Sequence, residues 1–149
     1  MARTINDAGL QLITSSEGLR LQAYQDIAGI WTIGYGHTGG VQPGMNITAA
    51  QATQFLMQDL ATIEGQIASA TADVPTTDNQ FAAMVSLGFN IGWGNFKTSS
   101  VLRFHLAQQP ANAATAFDLW DKAHVDGQLV EVPGLLARRQ REAALYRTP

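Results

Sequence analysis

Glu17, Asp26 and Thr32 stand nine and then six positions apart near the start of the chain. Together they carry what hydrolysis of a glycosidic bond requires. That reaction needs two carboxyl groups in different states: one protonated to deliver a proton to the leaving oxygen, one ionised to activate water or stabilise an oxocarbenium-like centre. Glu17 is the candidate acid. A helix C-terminus and a semi-apolar cleft would both disfavour its ionised form, whereas Asp26, in a polar loop, would stay charged. The Thr32 hydroxyl could fix the water on the opposite face of the sugar. Spacing alone is weak, since such triplets arise by chance. His37, in the Gly36-His37-Thr38 turn, reads on its own more readily as a structural turn residue than as a catalytic one. No second histidine or acid stands near it at metal-ligand spacing, so neither a metal nor another cofactor is expected. A Gly-x-Ser-x-Gly elbow and a phosphate-binding glycine loop are both absent.

The elements that must position these residues follow from patterning. Residues 5–17 read as a short helix with Ile5, Leu10, Leu12 and Ile13 on its apolar face and Asn6 or Asp7 as N-cap. Gly18 comes next, suited to a left-handed C-terminal cap, which puts Glu17 in the last turn. The run from Ile30 to Gly36 is β-branched and aromatic and is bracketed by glycines, the texture of a small antiparallel sheet with tight turns. Thr48-Ala49-Ala50-Gln51 has the capping-box pattern. Ala52, Phe55, Leu56, Leu60, Ile63 and Ile67 then recur at helical spacing, predicting a long helix to about residue 70. After a linker over 72–76, Thr77 caps a helix carrying Phe81, Val85 and Leu87 that ends near Gly92. Val101–Ala107 and Ala113–Ala123 read as two more helices, and Pro133 opens a final one. The expected fold is α+β, one domain over 1–149. It has a small antiparallel sheet lobe (about 18–47), a connecting helix (about 48–70) and a larger helical lobe (about 71–149) on which the N-terminal helix packs.

Composition narrows the function classes. Apolar residues are 46% of 149, enough for a real core, and there is no cysteine to offer a disulfide or thiol chemistry. A net charge of −3 gives no basic footprint for nucleic acid. Four of the nine Lys and Arg (Arg138, Arg139, Arg141, Arg147) fall in the last twelve positions. That reads first as a solvated, partly ion-paired helix face and second as a wall or membrane contact. The N-terminal residues lack the apolar run of a signal peptide or membrane anchor.

The segments Ser16–Asp26 and Trp31–Thr38 resemble the helix end, loop and hairpin of the phage-type lysozymes, the endolysin muramidases. In that family a Glu, an acidic residue nine positions on and a Thr six beyond form the catalytic set, which implies Glu17, Asp26 and Thr32 here. Ser86–Gly92 is similar to the family's segment on the far side of the cleft. It implies Phe89 as an apolar wall and Asn90 as a polar contact to the sugar's N-acetyl group, with Tyr35 and His37 as further substrate contacts from the hairpin. Gly134–Glu142 resembles the closing helix, whose Arg, here Arg138, faces the catalytic Glu as a supporting residue. The resemblance implies a lysozyme-like fold and hydrolysis, with inversion, of the β-1,4 bond between N-acetylmuramic acid and N-acetylglucosamine in peptidoglycan, causing host lysis. It also implies a monomer without stable membrane anchor, held in the host cytoplasm until a phage pore protein gives access to the wall. A lytic transglycosylase on the same fold is the alternative, and Asp26 and Thr32 argue against it because that chemistry has no water to position. The intact triplet argues likewise against a non-catalytic wall-binding module.

Overall fold

The computed structural model describes residues 2–125 and 128–149. In chain order the elements are α1 (Asp7–Glu17), β1 (Arg20–Gln25), β2 (Trp31–Gly34), α2 (Ala49–Ala70), α3 (Asp78–Ile91), α4 (Trp93–Phe96), α5 (Ser100–Leu106) and α6 (Pro110–Ala116). A 3-10 turn (Phe117–Trp120), β3 (Lys122–Val125), β4 (Gln128–Glu131) and α7 (Pro133–Arg147) follow. The expected α+β class and most expected elements are present. Asn6 caps α1 by accepting the Gly9 N–H at 2.9 Å. Thr48 with Gln51 and Thr77 with Gln80 both form reciprocal capping boxes, each satisfying two helix N–H groups that would otherwise be orphaned. No described helix is long and apolar enough to cross a membrane.

The chain divides into two compact units, one of residues 13–62 and one of residues 1–12 with 63–149. In the smaller unit β1 and β2 pair antiparallel, Tyr24 opposite Thr32 and Gln25 opposite Trp31. The other edge of β1 takes the segment 45–47, through Ala23 N–H to Met45 O and Ile47 N–H to Leu21 O, both 2.9 Å. Ile33, Ile47 and Ala52 are buried at the centre of this unit, with Tyr35 and Phe55 packed on them. In the larger unit α3 is buried on every side from Phe81 to Gly88, the mark of a helix at the centre of a core. The first half of α1 approaches it closely: a Cβ on Gly9 would lie 2.6 Å from the Ala82 Cβ.

One expectation fails. The helix read over 113–123 stops at Ala116, tightens into the 3-10 turn, and the chain enters β3 at Lys122. β3 and β4 pair antiparallel from Lys122 opposite Glu131 to Val125 opposite Gln128. The turn is driven by packing, since Phe117 is wholly buried with its ring 5.6 Å from that of Tyr146. The sequence signal for the hairpin was the Asp126-Gly127 dipeptide between Val125 and the run Gln128-Leu129-Val130. Those two positions lie outside the described residues.

The larger unit also buries a histidine. His105 Nε2 is 2.8 Å from the Thr76 hydroxyl and Nδ1 is 2.7 Å from the Tyr146 hydroxyl. Burial pushes the imidazole below its ordinary value of 6.5 and the Tyr146 hydroxyl up to about 12. A neutral imidazole in the native state takes up its proton at lower pH than in the unfolded chain. Its contribution is therefore complete above pH 6.5 and is lost as pH falls toward the lowered native value. Melting temperatures measured downward from pH 8 should fall in the wild type through this window, and less steeply in His105→Gln. Parallel curves would rule out His105 as the titrating group.

Candidate active site

The smaller unit contains five of the expected residues. Glu17 is the last residue of α1 and is half-buried. Gly18 follows with φ +74° and donates its N–H to Thr14 O at 3.1 Å, the left-handed ending expected of it. The carboxyl group of Glu17 faces the turn after β2: a Cβ on Gly36 would sit 3.8 Å from Glu17 Oε2. Gly36 has φ +86°, which a residue with a side chain rarely adopts, so the space beside the carboxyl group stays open. The turn itself is closed by Ile33 and His37, which exchange two backbone hydrogen bonds of 2.9 Å.

Asp26 and Thr32 are brought together through one residue, Ile30. Asp26 Oδ1 accepts the N–H groups of Ala28 and Ile30, each at 2.9 Å, and the Asp26 N–H donates to Ile30 O at 2.9 Å. The Thr32 hydroxyl donates to the same Ile30 carbonyl at 2.9 Å, with Thr32 only 4% exposed. An Asp side chain that takes backbone N–H groups two residues on stabilises a turn, and here that turn fixes the carboxylate's own rotamer.

His37 is largely committed elsewhere. Its Nδ1 lies 2.8 and 3.1 Å from the Asp59 carboxylate oxygens and its ring stacks on Phe55, 4.2 Å between centroids and 5° from parallel. Asp59 and Phe55 lie one turn apart on α2, so His37 fastens the turn after β2 to that helix. Tyr35 packs on the Ile33 cluster and is half-buried. Asp59 was not anticipated, and no local pattern marks which polar residue of a helix will meet a turn.

Phe89, Asn90 and Arg138 belong to the larger unit. Phe89 is half-buried and Asn90 exposed near the end of α3. The basic C-terminal helix departs from the expected solvated face: Arg138 and Arg139 are buried, while Arg141 and Arg147 are exposed. The two buried arginines converge on Glu142, which is fully buried. Arg138 Nε is 3.2 Å from Oε2, Arg139 Nε 2.6 Å from Oε1, and the Ser86 hydroxyl donates to Oε2 at 2.5 Å. Burial pushes the Glu142 carboxyl up from its ordinary range, while Arg139, Ser86 and Arg138 pull it back. Burying cations demands such partners, and their spacing, three and four positions before Glu142, was the available signal.

A helix-end glutamate facing a hairpin that carries a fastened carboxylate and hydroxyl, in this α+β architecture, is a lysozyme-type arrangement. The family model for phage lysozyme matches residues 14–142, and the chain belongs to that family. It is 44% identical over 142 residues to an endolysin of Acyrthosiphon pisum secondary endosymbiont phage 1, covering 95% of this chain and 97% of that one. Among solved structures it is similar to the endolysin from Escherichia coli O157:H7 phage FAHEc1 (39% identity, 99% and 95% of the two chains covered, TM-score 0.92). A second similar structure is the muramidase domain of SpmX from Asticaccaulis excentricus (41% identity, 99% of each chain, TM-score 0.88).

Proposed function

We propose that this protein is an endolysin whose catalytic domain hydrolyses the β-1,4 bond between N-acetylmuramic acid and N-acetylglucosamine in bacterial peptidoglycan. Glu17 acts as general acid, giving its proton to the glycosidic oxygen as the bond to C1 breaks. The observation that carries the reading is the common anchorage of Asp26 and Thr32 on Ile30. The Thr32 hydroxyl donates its one proton to the Ile30 carbonyl, so toward a water it is an acceptor; an ionised Asp26 is an acceptor only. A water held by both gives its hydrogens to them and keeps a lone pair for C1. Asp26 takes one proton as the water attacks, and the sugar is released with inversion. Tyr35, His37, Phe89 and Asn90 serve as saccharide contacts and Arg138 as a supporting residue, its guanidinium held by Glu142 and Ser86. The names endolysin and muramidase carried by its relatives agree with this reading. A monomer that reaches the wall through a phage pore protein completes it.

Digestion of purified peptidoglycan followed by mass spectrometry of the released muropeptides tests the reaction. Hydrolysis gives reducing muramic ends with one water added, formed first as the α anomer. Muramic ends with a 1,6-anhydro ring would replace this reading with a transglycosylase, and wall binding without release would replace it with a binding module.

A further inference from the structure

Within the larger unit, a cavity of about 220 Å³ is lined by Pro75, Gln80, His105, Gln108, Pro110 and Tyr146. One of these residues is strained. α5 ends in a Schellman motif, in which Gln108 donates its N–H to His105 O at 3.0 Å and Gln109 donates to Phe104 O at 2.9 Å. The motif requires a left-handed residue after the helix cap. Gln108 supplies it with φ +57°, the one non-glycine residue at positive φ among the described residues. Glycine fills such a position without steric conflict. A glutamine kept there, exposed at the rim of a cavity, points to a use for its side chain, because backbone strain of this kind gathers at functional sites.

The lining is polar and uncharged. The Thr76 hydroxyl donates to Val74 O at 3.2 Å, so it accepts from His105 Nε2, and His105 Nδ1 accepts from the Tyr146 hydroxyl. The Tyr146 oxygen is left able to accept. Gln80 Oε1 takes the Thr77 N–H at 2.9 Å, which leaves its amide nitrogen to donate. The Gln108 side-chain amide has no hydrogen-bond partner among the described residues and can do both. Neutral donors and acceptors beside two proline rings and a tyrosine ring suit the hydroxyl groups, acetamido group and C–H face of a sugar. Sites for drug-sized ligands run to roughly 300–1,000 Å³, so this space admits one small ring.

Resting on the proposed reaction for the identity of the polymer, we infer that this cavity is a second saccharide site that holds an N-acetylglucosamine unit of the glycan through Gln108. Muramic acid is excluded, since its lactyl group and peptide exceed the space and bring carboxylates to a lining without a cation. The wall is then gripped by residues that take no part in breaking the bond.

Titration of N-acetylglucosamine into the isotopically labelled protein, followed by NMR, tests the site without any bond being cleaved. Signals of the His105 ring and of the Gln80 and Gln108 side-chain amides should shift and saturate together, while N-acetylmuramic acid leaves them in place. Gln108→Gly should weaken the affinity read at His105 and Gln80 by about tenfold, with a melting temperature equal to or above that of the wild type. A side chain kept for folding would not give that combination. No saturable shift in the wild type, an equal shift with muramic acid, undiminished affinity in Gln108→Gly or a lower melting temperature in that variant would each overturn the saccharide site. A wild type that binds the sugar here but releases no muropeptides from the wall would instead sink the proposed reaction and leave the site standing.

Discussion

Glu17→Gln is expected to lower the rate of peptidoglycan solubilisation by ~10²–10⁴-fold, the usual worth of a positioned general acid. The substitution changes one atom and one proton. Glutamine has the shape to remain at the end of α1 beside the open space left by Gly36, but it cannot protonate a leaving oxygen. Turbidity loss of permeabilised cells and muropeptide release should fall together, while the thermal transition stays cooperative and the protein still sediments with cell walls. A Glu17→Gln enzyme within about tenfold of wild type would remove Glu17 from the role of acid, because no other single effect of this isostere approaches that size.

Glu142→Ala is expected to cost about 3–5 kcal/mol of stability, the loss found when one partner of a buried ion pair is removed. Arg138 and Arg139 would then be buried against one another at 5% and 0% exposure with their shared carboxylate gone. For a chain of this length the melting temperature should fall by roughly 2–4 °C per kcal/mol. Glu142→Gln separates charge from volume. It fills the same space, so a loss of similar size assigns the effect to the missing carboxylate charge, whereas a small loss in Gln and a large one in Ala would assign it to a cavity. Losses below ~1 kcal/mol in both variants, read from denaturant midpoints at unchanged slope, would show that the cluster is not what joins α3 to α7.

Much of the fold was legible because its signals are local. Thr48, Thr77 and Gly18 announce helix ends through bonds spanning three or four residues, and Glu17, Asp26 and Thr32 fall on a helix end, a turn and a strand whose patterns are each self-contained. What escaped depends on packing. The alanine-rich stretch after Pro110 reads as continuous helix by propensity, yet burial of Phe117 beside Tyr146 ends it and a hairpin follows. Arg138 and Arg139 look like surface cations: their spacing to Glu142 announces an ion pair, but nothing local reveals that the pair is buried against Ser86. The pairing of His37 with Asp59 joins residues 22 positions apart, and only the folded chain decides that meeting.

Surface loops usually tolerate added or lost residues, and the stretch from Ile27 to Ile30, exposed throughout, has that look. The bonds from Asp26 to Ala28 and Ile30, and from Thr32 back to Ile30, make this loop a ruler instead. Its length sets where the carboxylate stands relative to the hydroxyl. Sequences grafted here can vary freely in side chain at Ile27 while remaining fixed in count, so an engineer wishing to alter wall preference should substitute along this loop and never resize it.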